Sequence, residues 1–224
     1  MQKKKLLTAI MSLSLVAVVG IGGTFAYLSD KTELVTNTFA VGKGYVDQGI
    51  VLDESNVTFD EPTRQETVTE ADRVMANAYP DLLPGDVRTK DPTVWLSVGS
   101  VKSYVFIHIT GADALAEDGV SINDFNKDDE WIKVDTRQGI DGIYRYKDIV
   151  DVRTVDGKKE GDLVAVDKLF SKVTFSKDTS DDKFAEIQKT GLTNLVIQAA
   201  AVQADNNDEE TALLEALNTT GWEK

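Results

Sequence analysis

Residues 103–110 read SYVFIHIT, and this run limits the fold more than any other stretch of the chain. Val105, Ile107 and Ile109 alternate with Tyr104, Phe106 and His108, so an extended strand here is substantially apolar on both faces. Just before it, Thr93 to Val98 is a second β-rich run, joined to the first through Gly99-Ser100. Leu192 to Gln203 is the longest β run, and its small Ala199, Ala200 and Ala201 permit a neighbour to approach closely. Shorter strands are expected at 131–135, 142–150, 162–166 and 170–175, between Gly, Asp and Lys turns such as Asp156-Gly157. Asn37 to Asp47 reads as an earlier strand, with Phe39 and Val41 on one face and Ala40 on the other. That rhythm of short strands predicts a mainly β chain built as a β-sandwich with a few short helices.

The helical signals are few. TEADRVMANAY (69–79) opens with Thr69 and has Asp72 three residues on, a capping-box pattern that predicts a short helix ending before Pro80 and the turn Pro84-Gly85-Asp86. Residues 53–84 therefore read as an insertion carrying one helix, laid over the edge or end of the β core. DDKFAEIQKTG (181–191) predicts a second helix ending at Gly191. Residues 208–217 carry the 3.6-residue spacing of a C-terminal helix, with Asp208, Glu209 and Glu210 in its favourable first turn.

The start of the chain decides where the protein goes. Met1 to Lys5 is basic, and Leu6 to Ile21 is apolar apart from small residues, Thr8, Ser12 and Ser14. Gly22-Gly23 then breaks the helix, and Thr24 and Ala26 stand at the −3 and −1 positions of a cut before Tyr27. Charge, apolar core, breaker and small-residue site together make a signal peptide over 1–26. The alternative is an uncleaved anchor, since Leu6 to Ala26 is 21 residues, but Gly20, Gly22 and Gly23 weaken it. In both cases Lys3 to Lys5 stay inside and the remainder, a single domain over 27–224, is exported.

Charge and composition exclude several function classes. The 224 residues carry a net charge of −14; removing 1–26 takes Lys3, Lys4 and Lys5 and no acid, which leaves 198 residues at −17. Such a surface repels nucleic acid and anionic lipid, so no nucleic-acid partner is expected. There is no cysteine, which rules out disulfides and thiolate chemistry and leaves packing to hold an exported fold together. His108 is the single histidine, so zinc sites built on paired histidines cannot form within the chain, and no nucleophile is recognisable beside it.

Several stretches together carry a resemblance. Gly23-Thr24-Phe25-Ala26, then Tyr27-Leu28-Ser29-Asp30, then Asn37-Thr38-Phe39-Ala40-Val41-Gly42 resemble the start of the TasA/camelysin family of Gram-positive bacteria. That family is exported through a dedicated signal peptidase of the SipW type. LLPGDVRTKDPTVWLSVGSVKSYVFIHI (82–109) and LVIQAAAVQADN (195–206), with an acidic helix after it, are also similar to family segments. Residues 53–80 and about 112–190 match only in general character. The resemblance implies a jelly-roll-like sandwich, secreted to the cell surface or biofilm matrix, with itself, other matrix or surface proteins and the signal peptidase as partners.

Camelysin-like proteins are also described as metallopeptidases. The His-Glu-x-x-His pattern of such enzymes is absent here, and no spacing singles out a catalytic pair among 38 carboxylates, so no catalytic residue is assigned. NKDDE (126–130) and DNNDEE (205–210) offer the oxygen ligands that calcium prefers, but neither follows an EF-hand loop. No other cofactor is expected. The resemblance makes the leading expectation a structural subunit that forms fibres by strand addition; the alternative is that Tyr27 to Val41 is simply the first strand of its own sandwich. Tyr27 to Val41 is polar enough to be free and, through Leu34, Val35, Phe39 and Val41, apolar enough to dock on a neighbour's sheet edge. The competing expectations are an extracellular peptidase and a monomeric accessory surface-binding module.

Overall fold

A computed structural model describes residues 35–37, 49–60, 62–79, 82–190, 192 and 194–223. Among them the chain runs β1 (Val35–Asn37), β2 (Ile50–Asp60), β3 (Gln65–Val74), β4 (Val87–Thr89), β5 (Thr93–Ser97), β6 (Ser103–Thr110) and α1 (Ala112–Glu117). It continues through β7 (Val120–Asn123), β8 (Trp131–Lys133), β9 (Gly142–Tyr146), β10 (Leu163–Lys168), β11 (Lys172–Phe175), α2 (Asp181–Thr190), β12 (Val196–Gln203) and α3 (Glu209–Thr220). Three sheets result: a five-stranded one in the order β1-β12-β6-β9-β8, a four-stranded one ordered β10-β5-β2-β3, and a three-stranded one ordered β4-β11-β7. Pairing is antiparallel throughout except between β1 and β12, which is parallel. The fold is mainly β with short helices, as expected.

The alternation in β6 explains the layering. Val105, Ile107 and Ile109 point into a core shared by all three sheets, meeting Leu52 of β2, Leu96 of β5 and Phe175 of β11, with Leu115 of α1 and Phe184 of α2 closing it. The other face of the same sheet is also covered. Phe106, Ile143, Ala200 and Val202 pack against Ala212, Leu213 and Ala216 of α3 and against Trp222. That double cover is why both faces of β6 are apolar. Fully burying a side chain such as Phe106 or Ile107 contributes about 1.5–3 kcal/mol, so each layer has ample driving force.

Where β6 ends, Gly111 (φ +87°) precedes α1, and a Cβ at this position would lie 1.9 Å from the Asn194 carbonyl oxygen. The close approach of the Asn194 and Leu195 backbone to the start of α1 therefore requires glycine.

The helix expected over 69–79 is corrected by the structure: Gln65–Val74 is β3, paired antiparallel with β2. The register steps from Ser55↔Arg73 to Asn56↔Thr69, which leaves Glu70, Ala71 and Asp72 outside the ladder. Helix-forming residues are overridden by tertiary pairing. Arg73 is tied back by Nε to Asp53 Oδ1 at 2.9 Å and by Nη1 to Ser55 Oγ at 2.8 Å, contacts that fasten β3 to β2. Residue 53 likewise falls inside β2, whose first residues pair with β5, so the segment 53–84 begins within the core sheet. Strands β2, β4 and β7 and helix α1 are additional to those expected. The strand expected over 37–47 lies outside the described residues apart from Asn37, the last residue of β1.

Candidate assembly surface

Two features of the five-stranded sheet form the candidate site: its β1–β12 edge and the cover on its outer face. At the edge, Val35, Thr36 and Asn37 pair with Ile197, Gln198 and Ala199. Among the described residues the ladder on this side covers those three positions of the eight in β12. The small Ala199, Ala200 and Ala201 of β12 are each at most 1 % exposed and let the layers above and below pack closely, with Ala199 and Ala201 inward and Ala200 under α3. A three-residue parallel contact at a sheet edge is a small attachment, made through backbone groups that any strand of suitable pattern can supply.

The outer face is covered by α3 and the segment after it. Asp208 caps the helix, accepting from Thr211 N at 2.8 Å, and its carboxyl is held below the usual carboxylate range by that backbone N–H. Gly221 (φ +74°) ends the helix, its N–H donating to Leu217 O at 2.9 Å. Charged contacts tie down both ends. At the start, Arg145 Nε of β9 stands 2.9 Å from Glu209 Oε1 as an ion pair, without the alignment of a hydrogen bond. Beyond the end, Arg137 Nη2 donates to Glu223 O at 2.8 Å, and the Trp222 ring lies 5.4 Å from the His108 ring, tilted by 42°.

His108 therefore sits at the centre of this cover, 9 % exposed, opposite Gln198 in the ladder and one strand away from β1. Burial pushes its pKa below the ordinary value and the Arg137 guanidinium, 3.5 Å from Nε2, pushes the same way; a hydrogen bond with Gln198 and the charges of Asp135 and Asp141 oppose them. Both carboxylates are already engaged. Asp135 accepts from Ile143 N at 2.9 Å, and Asp141 accepts from Gly111 N and Ala112 N at 3.0 and 2.7 Å at the start of α1.

Of the residues singled out in the sequence, Thr24, Ala26, Tyr27, Leu34, Phe39 and Val41 lie outside the described residues, and Val35 is the first residue of β1. Three residues of the stretches considered for calcium make contacts within the fold. Asn126 Oδ1 accepts from Trp131 N and its Nδ2 donates to Trp131 O, both at 2.8 Å, while Asp208 and Glu209 hold α3. Among the described residues no three His, Asp or Glu side chains are grouped to hold a metal ion, and no helix is long and apolar enough to cross a membrane. Sequence reasoning missed Arg137, Arg145 and Trp222. The signal for them was present: outward Tyr104 and Phe106 on β6 need a cover, and the apolar stripe of 208–217 is the nearest element able to supply one.

Compared with protein-family models, with curated proteins and with solved structures, the chain gives no match. The family resemblance rests on the motifs quoted above.

Proposed function

We propose that this chain is an exported structural subunit of the cell surface or biofilm matrix, which assembles into fibres when its N-terminal strand adds to the sheet of a neighbouring copy. In this reading the sheets form a jelly-roll-like sandwich of the TasA type, the signal peptidase releases the chain at Tyr27, and copies of itself and other matrix proteins are its partners. The observation that carries it is the β1–β12 edge. Val35–Asn37, from the stretch nominated by sequence, adds to β12 of its own chain through three ladder positions, a short attachment that the same segment of a neighbouring copy can replace. A head-to-tail contact of this kind does not close on itself, so repeated addition gives filaments.

The test uses secreted protein. Mass spectrometry is expected to find Tyr27 as its first residue, and Ala26→Asp to leave the precursor uncut, because a charged side chain does not fit the small pocket of the peptidase. A mature chain lacking residues 27–36 is expected to fold, by circular dichroism, and to form no filaments by electron microscopy. A folded deletion variant that polymerises like the parent refutes strand donation. Zinc-dependent casein digestion that disappears in His108→Gln refutes the structural reading as a whole.

A further inference from the structure

We propose that His108, Arg137 and Trp222 form an acid-released clasp that holds α3 on the outer face of the five-stranded sheet. Neutral His108 accommodates the clasp, and protonation places a second cation beside Arg137 and loosens Trp222 together with the helix that precedes it.

The geometry supplies the elements such a device needs. His108 and Trp222 are 9 % and 7 % exposed, so a proton arriving at His108 is poorly solvated. Arg137 Nη1 is 3.5 Å from His108 Nε2, and the same guanidinium holds the Glu223 carbonyl through Nη2, so one cation is shared between the histidine and the clasped segment. The charged groups bearing on His108 are Arg137, Asp135 and Asp141; β12 contributes the neutral Gln198, and the segment after α3 contributes the neutral Trp222. Of the two carboxylates, Asp141 is committed to the amides at the start of α1, and Asp135 accepts from the amides of Arg137 and Ile143 and stands 3.9 Å from Arg137 Nε. Each is therefore partly neutralised where it stands. Burial is the largest influence on His108, and the like charge of Arg137 acts in the same direction.

The sign follows by linkage. Burial depresses the His108 pKa in the clasped state, whereas an open state exposes the ring and restores the ordinary value of about 6.5. The open state binds the proton more tightly. The clasp is thus fully favoured above that ordinary value and weakens as pH falls below it, until the depressed value is passed. Each unit of depression makes the open form about tenfold more populated at low pH. Opening uncovers Phe106, Ile143, Ala200 and Val202, the apolar outer face of the sheet that also carries the β1 edge. The clasp does not depend on whether the subunit polymerises.

Because His108 is the single histidine, its ring protons give one unambiguous NMR titration in the intact mature chain. The expected result is a midpoint below about 6.5 that moves back toward that value in Trp222→Ala. Hydrogen exchange of the amides of Glu209–Thr220, expressed as protection factors at about pH 7.5 and about pH 5 on either side of the histidine range, is expected to drop in the parent and to stay level in His108→Gln. A parent midpoint at or above about 6.5 overturns the clasp, and that measurement needs no variant to fold. An equal loss of protection in His108→Gln overturns it as well.

Discussion

Lys90 Nζ lies 3.1 Å from Glu54 Oε2, with the two side chains 2 % and 1 % exposed. The pair is embedded in a polar seam between β2 and the segment that follows β4. Glu54 Oε1 accepts from Asn77 N at 2.7 Å, and Asn77 in turn donates through Nδ2 to Ser55 O and accepts from Val57 N at Oδ1. Removing one charge takes a buried ion-pair partner from the other. Glu54→Gln and Lys90→Met are each expected to destabilise by about 3–5 kcal/mol, and Glu54→Leu with Lys90→Met by less than the sum of the corresponding single changes. A double-mutant cycle in urea checks this, and strict additivity would show that the two side chains act independently.

Gly111→Ala tests the close approach between the start of α1 and the 194–195 backbone. Its φ of +87° costs an L residue about 1–3 kcal/mol, and the Cβ must also displace the Asn194 carbonyl from 1.9 Å. The expected fall in Tm is at least about 2–4 °C per kcal/mol lost for a domain of this size. An unchanged Tm would mean that the two segments separate freely.

Asp53 is buried beside Arg73 and Trp95, taking Arg73 Nε at 2.9 Å and Trp95 Nε1 at 2.7 Å on Oδ1. Burial raises its pKa, those two hydrogen bonds and the Arg73 charge resist the rise, and Asp91 adds to it. A raised folded-state value means that the native protein takes up the proton more readily than the unfolded chain. The Asp53 contribution is therefore greatest below the ordinary carboxylate value of about 3.9 and declines as pH rises through the raised value. Parent minus Asp53→Asn stability should accordingly be larger at about pH 4 than at about pH 6.5, measured by denaturant titration. A pH-independent difference would indicate that the hydrogen bonds cancel the burial.

The hairpin holding Asp53 also marks where the sequence stopped being legible. β6 was readable to its ends, because eight residues with apolar side chains on both faces have one low-energy arrangement, a covered strand. α2 and α3 were readable from their acidic first turns, although Asp208, read as part of the first turn of α3, is the cap in front of it. β3 was not. Most of its ten residues are exposed, so no buried face imposes a period of two, and Ala71, Arg73 and Met75 favour helix locally. What makes it a strand is β2 and the Arg73 contacts to Asp53, Ser55 and Asp91, all distant in sequence. The candidate surface divides in the same way. The β12 run and its alanines were visible as local pattern, whereas the clasp joins residues 108, 137 and 222, whose association depends on the finished fold.

Trp222 offers the last test, because its ring and its N–H have opposite importance. The side chain is 7 % exposed and packs with Phe106 and Ile143, yet its buried Nε1 has no hydrogen-bond partner. Truncation to alanine removes the apolar contact and leaves a cavity under the cover, which is expected to cost about 3–5 kcal/mol. Trp222→Phe keeps an aromatic body on His108 and sacrifices no hydrogen bond, while it relieves the desolvation of an unpaired donor. Its expected cost is below about 1.5 kcal/mol, the range of a near-conservative core replacement. Denaturant titrations of the two variants separate the contributions. If Trp222→Phe proves as damaging as Trp222→Ala, the indole N–H has a partner in solution and the packing account of this position fails.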